Sequence, residues 1–569
     1  MTKAENLTRM IMAGKGAAKA DLVIKDIQIL DVITGAITQT DIAIVDDRIV
    51  GTHANYQGNV EIDGKGRFAV PGFIDTHLHI ESSLVTPLEF DRCVLPHGVT
   101  SIICDPHEIA NVLGVEGIRY FLDSAERTIM DVQINLSSCV PATSFETSGA
   151  SLEIEDLLPF RDHPKVIGLA EIMNFPGVLN ADPGILAKLE AFQGEHIDGH
   201  APLLSGTDLN GYLAAGIRTD HEATTAKEAR EKLLKGMAIL IREGSVSKDL
   251  NALAEVLDEN TSSFVALCTD DRNPLDIAEE GHLDALVRRL IAKGRPLHHV
   301  YRAASHSAAR IFGLNDRGLV APGWRADIVL LDDLETCAVS DVVSAGRLVT
   351  QELFEGRGNI EPVGLNSMKA KPVVADAFIT QPKAGQNQTP VIGVKPGLII
   401  TYREDANLEV TDKGLIPDLN KDVIKVAVIE RHGKNGNIGR SFVTGFGLKK
   451  GAIASSVGHD SHNITVVGAN DQDMAIAVNQ LIKTGGGFAV AEGGEIKAHL
   501  ALPIAGLMSS EPFETISHDL EILRDAARAL GCTLPEPFLQ VAFLALPVIP
   551  HLKMTDYGLF DVDKFDFVS

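Results

Sequence analysis

Cysteine is scarce in this chain and never closely spaced. The 569 residues contain six cysteines, and no two of them form a CxxC pair. This spacing excludes zinc ribbons and thioredoxin-type redox motifs. No apolar run approaches the roughly 18 residues that a bilayer span needs, and the first twenty residues lack the apolar core of a signal peptide. We therefore expect a reduced, soluble, cytoplasmic protein.

Basic residues are also few compared with acidic ones. The 51 Lys and Arg residues against 77 Asp and Glu give a formal charge of −26. An acidic surface repels phosphate backbones and anionic lipid heads, and no Lys/Arg-rich run offsets it. Nucleic acids and membranes are therefore poor candidates for partners. The content of 45% apolar and 22% charged residues is that of an ordinary globular protein, and the length predicts about three or four domains.

Short apolar strands alternate with helical segments from residue 70 to 320, and this alternation predicts a parallel sheet. Eight βα units in about 250 residues match the size of a TIM-type (β/α)8 barrel. A dinucleotide-binding fold is disfavoured because no GxGxxG follows a strand. The eight predicted strands are Gly72–Thr76, Val99–Cys104, Val132–Cys139, Val166–Ala170, His196–Gly199, Gly216–Thr219, Met237–Ile241 and Phe264–Thr269.

The segments that flank the barrel have a different pattern. Residues 1–69 contain short alternating strands, and strand-like sequence returns in 321–355, so both pieces are expected to form one small β-domain. A polar stretch over 356–391 is typical of a linker. Residues 392–569 contain strands and helices of their own, which predicts a separate C-terminal α+β domain.

Metal-ligating residues recur where the predicted strands end. His77 and His79 are two apart on the first strand, so both imidazoles project to the same side. The carboxyl ends of barrel strands form the active face of this fold. Nitrogen and oxygen ligands without thiolate favour Zn, Mn or Fe, which predicts a metal site at this rim. The later strands end at Glu171, His200, His221 and Asp270.

Several longer motifs carry a resemblance to a known family. In the C-terminal block they are RHGKNGNIGRSFVTGFG, VGHDSHNITVVG and TGGGFAVAEGG. With the barrel motifs, they make almost the whole chain resemble the bacterial adenine deaminases of the amidohydrolase superfamily. The barrel motifs are THLHIESS (76–83), CDPHEIANV (104–112), AEIMNFPGV (170–178), DGHAP (198–202), TDHE (219–222) and CTDD (268–271).

The resemblance implies hydrolysis of adenine to hypoxanthine and ammonia, a reaction of purine salvage. It implies two divalent cations per chain, with Mn²⁺ or Fe²⁺ favoured and Zn²⁺ also compatible. Glu171 stands where many related enzymes carry a carbamylated lysine, so a carboxylate is expected to bridge the two metals. This argues against a dihydroorotase or hydantoinase. The implied ligands are His77, His79, Glu171, His200, His221 and Asp270.

The resemblance also implies roles for neighbouring residues. A metal-activated hydroxide is expected to attack the base, with Asp270 moving the proton. Glu222, His107 and Glu108 are candidates for protonating the purine ring, and Glu81, Asp105 and Arg242 are candidates for binding it. The expected partners are adenine and water, and the expected assembly is a homo-oligomer, a dimer or larger.

Alternatives remain at this stage. The chain could be another metal-dependent amidohydrolase or deaminase that acts on a different heterocyclic base, since fold and metal site do not fix the substrate. A catalytically silent scaffold is disfavoured because all six ligands are present. The turn from Gly458 to Asn463 could hold a second metal, although a structural or interface role is favoured. The zinc cytidine-deaminase signature, HxE together with PCxxC, is absent.

Overall fold

Eight short parallel strands with helices between them form a barrel in the computed structural model, which describes residues 2–382, 388–412 and 414–568. All eight predicted strands are present, with ends shifted by a few residues. Residues in most of these strands are buried throughout, as expected for parallel strands covered on both faces. The barrel strands are Phe73–Leu78, Val99–Cys104, Asp131–Leu136, Val166–Ile172, His196–Gly199, Thr219–Asp220, Ala238–Arg242 and Val265–Cys268.

Backbone hydrogen bonds close the barrel at the two places where its two sheets meet. The first five strands pair in order and so do the last three. Arg218 N donates to Ile197 O at 3.2 Å, which joins the two sets, and Asp270 N donates to His77 O at 3.0 Å, which joins the last strand to the first. The TIM-type barrel predicted from the sequence is therefore confirmed.

Capping residues and prolines begin several of the barrel helices. Thr86 accepts a hydrogen bond from Glu89 N ahead of the helix Pro87–Val94, whose first position is a proline. The larger helices of the barrel layer are Pro87–Val94, His107–Leu113, Val115–Ala125, Pro183–Ala191, Gly206–Ala214, Ala226–Leu234, Pro274–Glu280 and Leu283–Ala292, and the shorter ones are Ile154–Leu157, Phe175–Leu179, Leu250–Leu253, Leu297–Arg302 and Ala308–Ile311.

A small β-domain is assembled from both sides of the barrel sequence. Phe68–Pro71, just before the barrel, pairs antiparallel with Ile328–Asp333, just after it. A helix, Lys3–Gly14, precedes this sheet. The remaining strands are Ala20–Leu30, Ile37–Val45, Arg48–Gly51, Gly58–Asp63, Ala338–Ser344 and Arg347–Leu348.

The C-terminal domain is built on an eight-stranded sheet with its own core. The helices Asp471–Thr484, Phe513–Ala529 and Pro537–Ala542 belong to it, and the first buries Met474, Val478 and Leu481. In spatial order the strands are Tyr402–Asn407, Gln388–Gly393, Ile438–Thr444, Ile424–Ile429, Ile464–Gly468, Ala452–Ser455, Gly487–Glu492 and Glu495–Ala501. Smaller sheets pair Val410–Thr411 with Gly414–Leu415, and Leu552–Thr555 with Gly558–Asp561 and Asp566–Phe567.

Part of the predicted linker, residues 356–391, packs into the C-terminal domain, where Phe378 is buried in the apolar core. Residues 388–391 pair within the C-terminal sheet as part of Gln388–Gly393, and residues 383–387 lie outside the described residues. The short helix Gln351–Glu355 precedes this segment. The domain boundaries given by the sequence stay predictions. Over the described ranges, no helix combines the length and apolar character needed to cross a membrane.

Candidate metal centre

The first barrel strand presents His77 and His79 to a shared buried cluster. His77 Nδ1 lies 2.9 Å from Asp198 Oδ2, and His79 Nδ1 lies 2.9 Å from the carbonyl oxygen of Asp105. These contacts fix both rings and direct both Nε2 atoms to the inside of the barrel rim. An oriented imidazole whose second nitrogen is held by an oxygen is typical of a metal ligand.

Glu171 lies at the centre of the cluster. Its Oε1 is 3.7 Å from His77 Nε2 and 3.4 Å from His79 Nε2. Its Oε2 is 2.5 Å from His200 Nδ1 and 3.4 Å from His221 Nε2. Each carboxylate oxygen thus faces a different pair of histidines, which is the placement that a bridging ligand needs.

Asp270 completes the cluster from the end of the last strand. Its Oδ1 lies 3.2 Å from His79 Nε2 and 3.7 Å from His77 Nε2, and its Oδ2 accepts a hydrogen bond from Arg242 at 2.9 Å. Arg242 also forms ion pairs with Glu222 and Asp249. The guanidinium therefore holds three carboxylates and fixes the rotamer of Asp270.

The donor set fits a divalent metal. The ring atom His77 Nε2, which faces Glu171 and Asp270, is buried and has no hydrogen-bond partner. Buried polar atoms without partners are costly, and a cation supplies the partner that this nitrogen lacks. His77, His79 and Asp270 bring ligand atoms within 4.8 Å of one another, and so do His77, Glu171 and His221.

The electrostatics of the cluster follow from this proximity. Burial disfavours the charged form of His77, but the hydrogen bond with Asp198 and the charge of Glu171 outweigh it and raise its pKa to about 9. Burial also opposes ionisation of Glu171, yet the surrounding histidines hold its pKa well below the usual range. The carboxylate therefore stays ionised, the form that binds metal.

A narrow cavity opens beside the cluster. Among the residues that the sequence singled out, Glu222, Arg242 and His107 line it together with five of the six expected ligands. Glu81, Asp105 and Glu108 do not line it. Glu81 accepts a hydrogen bond from Ile109 N at 3.0 Å.

Asp105 and Glu108 both lie close to His107 but face elsewhere. Asp105 Oδ2 is 2.9 Å from His107 Nδ1, and its Oδ1 accepts from Ser137 at 2.8 Å. Glu108 turns towards His459 and His462 of the C-terminal domain. The predicted roles of Glu81, Asp105 and Glu108 at the substrate stay predictions, and this geometry favours supporting positions.

Sequence reasoning missed most of the C-terminal contribution to the cavity. The motif GHDSHN was noticed, but its contact with the barrel could not be read from spacing. Asp198 was also missed as the partner of His77, although it stands two residues before His200 in DGHAP. The cavity residues that the sequence did not single out as site residues are Met173, Asp271, Ile399, His459, Asp460, Phe543, Leu546 and Ile549.

Comparison with known proteins gives the same assignment from the whole sequence. Residues 68–349 match the amidohydrolase family, and residues 398–566 match the adenine deaminase C-terminal domain. The adenine deaminase of Brucella anthropi is 63% identical over 563 residues, which cover 99% of this chain and 100% of the relative. This chain belongs to the adenine deaminase family.

A second curated relative agrees with that membership. Adenine deaminase 1 of Rhizobium johnstonii is 64% identical over 563 residues, or 99% of either chain. Among solved structures, an N-acetyl-D-glucosamine-6-phosphate deacetylase from Mycobacterium smegmatis aligns with a TM-score of 0.44 and 19% identity over 58% of this chain and 99% of its own. The relatives from Brucella and Rhizobium confirm the family resemblance given by the motifs.

Proposed function

We propose that this protein is a hydrolytic adenine deaminase, which converts adenine and water to hypoxanthine and ammonia. The observation that carries the proposal is the convergence of four histidines and two carboxylates at the barrel rim in a chain related to adenine deaminases over nearly its full length. The setting expected for such an enzyme is purine salvage in the cytoplasm by a homo-oligomer of two or more chains.

The cluster would hold two divalent cations. Its imidazole nitrogens and carboxylate oxygens suit Mn²⁺ or Fe²⁺, and Zn²⁺ also fits. When bound, such cations lower the pKa of water towards about 7 and so supply a nucleophile at neutral pH. Glu171 would bridge the pair, because each of its oxygens faces a different pair of histidines. The remaining ligands would be His77, His79, His200, His221 and Asp270.

Asp270 is the proposed acceptor of the proton from the attacking water. Its Oδ2 is held by Arg242, so only Oδ1 is free to take a proton on the side of His77 and His79. A carboxylate fixed in this way is already oriented for general-base catalysis. After attack at C6 of adenine, the same atom can return the proton to the leaving amine.

Glu222 and His107 are the proposed groups that move protons at the purine ring. Neutral ring nitrogens accept negative charge poorly, so a ring nitrogen must gain a proton as the tetrahedral carbon forms. Glu222 Oε1 lies 3.8 Å from His221 Nε2 and lines the cavity. His107 also lines the cavity, and its buried Nε2 has no hydrogen-bond partner.

Arg242, Asp105, Glu81 and Glu108 are proposed to act through other groups. Arg242 orients Asp270 and Glu222, and Asp105 orients His107 through the 2.9 Å contact with its Nδ1. Glu81 anchors the start of the helix that carries His107 by accepting from Ile109 N. Glu108 pairs with the C-terminal domain.

The test is ammonia release from a panel of bases by the metal-loaded enzyme. Adenine should be deaminated well, with hypoxanthine formed in equal amount, and adenosine should be a poor substrate. A large preference in kcat/KM for cytosine or adenosine over adenine would replace this proposal with the alternative, a related deaminase for another base.

A further inference from the structure

Part of the cavity wall belongs to the C-terminal domain, although the predicted metal ligands all lie on the barrel. The apolar residues there form a surface suited to a flat ring, and His459 stacks on Phe543 with ring centroids 4.3 Å apart and an interplanar angle of 24°. Two polar residues interrupt this surface. The wall residues are Ile399, His459, Asp460, Phe543, Leu546 and Ile549.

Two buried carboxylates at this seam, Glu108 and Asp460, face imidazoles, and no oxygen of either has a hydrogen-bond partner. Glu108 has an imidazole nitrogen close to each oxygen, His459 Nδ1 at 2.6 Å from Oε1 and His462 Nε2 at 2.5 Å from Oε2. His459 Nε2 also lies 3.4 Å from Asp271 Oδ2. The negative charge of Glu108 is therefore offset within the protein.

Asp460 differs from Glu108 because it lines the cavity. Its side chain is 1% exposed, and neither carboxylate oxygen has a hydrogen-bond partner. The closest charged neighbours are His107 Nε2 at 3.5 Å and His459 Nδ1 at 3.6 Å from Oδ1. A buried carboxylate without a donor costs free energy, and the cavity that it lines is where a donor from a ligand would enter.

The distance from Asp460 to the metal cluster suits a purine. His107 lines the same cavity as Glu171 and Asp460 and bridges them along its wall, with Nδ1 3.7 Å from Glu171 Oε1 and Nε2 3.5 Å from Asp460 Oδ1. The width of one imidazole ring therefore separates Asp460 from Glu171, which belongs to the cluster that would face C6 of the purine. A purine whose C6 is at the cluster would extend its five-membered ring in that direction.

We propose that Asp460 accepts a hydrogen bond from the imidazole N–H of the purine and so selects the free base. This inference rests on the proposed adenine deaminase function. Adenine carries a proton at N9 or N7, whereas a nucleoside carries a sugar at N9 and lacks that donor. His107 Nε2 can then donate to a ring nitrogen of the base while Asp460 Oδ1 accepts from the nearby ring N–H.

The experiment compares wild-type enzyme with Asp460→Asn and Asp460→Ala on adenine and 9-methyladenine. Both are measured as substrates and, by calorimetry, as ligands of the metal-loaded enzyme. A hydrogen bond to a charged group predicts a 10- to 100-fold loss in adenine kcat/KM, mainly through KM. Binding of 9-methyladenine, which lacks the donor, should change less than threefold. Ser461→Ala, in the same buried loop but away from the cavity, is the control and should match wild type.

Two results would overturn the inference. If both ligands lose affinity equally, or if kcat falls with KM unchanged, Asp460 acts only by positioning His107. If adenine binds the variants as tightly as wild type, Asp460 does not contact the base. A wild-type enzyme that binds adenine without deaminating it would instead count against the proposed function, and the affinity comparison would still decide the role of Asp460.

Discussion

Replacing Asp270 with asparagine separates proton transfer from metal binding. One oxygen of Asp270 accepts from Arg242 at 2.9 Å, and the other faces His79 at 3.2 Å and His77 at 3.7 Å. Asparagine has only one oxygen, and the Arg242 donor will hold it. The amide NH₂ group then faces the histidines, where it can neither accept a proton nor bind a cation.

The expected loss follows from the role of the missing oxygen. General-base catalysis contributes about 10²- to 10⁴-fold, so Asp270→Asn should lower kcat by at least about 10²-fold, or about 2.7 kcal/mol of barrier. Five other ligands remain, so most of the metal should be retained. The assay is ammonia release from adenine beside metal content per chain, with circular dichroism to verify folding.

Asp249→Asn is the matched control. Asp249 Oδ2 also pairs with Arg242, at 3.1 Å, but does not line the cavity. Its loss should change kcat less than tenfold. An Asp270→Asn enzyme that keeps its metal and a near wild-type rate would refute the assignment, and Glu222 would be the next residue to test. Equal losses in both variants would trace the effect to Arg242.

Three further outcomes are expected. Glu171→Ala should lose metal as well as activity, measured by elemental analysis, because the central carboxylate of the cluster is gone; full metal occupancy would disprove the bridging role. Chelation should abolish turnover, and titration with Mn²⁺ or Fe²⁺ should restore it at about two ions per chain; full activity in a metal-free sample would contradict metal dependence. Burial lowers the pKa of Lys553 to about 7, below the roughly 10.4 of an unfolded lysine. From pH 7 to 10 the unfolded chain therefore holds a proton that the folded chain lacks, and the free energy of unfolding should rise by up to about 1.4 kcal/mol per pH unit. In denaturant unfolding, the stability of Lys553→Met should lack this rise with pH. The same pH dependence in Lys553→Met and wild type would contradict the lowered pKa of Lys553.

Local pattern was enough to predict the barrel and a cluster of histidines and carboxylates at its rim. Parallel strands covered on both faces give apolar runs that are visible in the sequence, and their carboxyl ends meet at one rim. Residues far apart along the chain, such as His77 and Asp270, therefore come together by topology alone. The structure brings all six expected ligands into one cluster.

Side-chain direction and domain contacts were beyond such reasoning. His107 and Glu108 are neighbours in the sequence, but a helix begins at His107, and consecutive helical residues point about 100° apart. His107 therefore lines the cavity while Glu108 meets His459 and His462. Those histidines, like Asp460, reach the barrel through packing between domains, which no spacing in the sequence encodes. The strand Gln388–Gly393 was missed for a similar reason, since its partners are distant along the chain.

The central claim is that this metal-loaded enzyme hydrolyses adenine. The most direct test follows adenine, hypoxanthine and ammonia together in a purified sample whose metal content is known. We expect adenine to be consumed with equal formation of both products, at a rate that rises with metal occupancy. Full occupancy without conversion of adenine, while another base is deaminated, would contradict the claim.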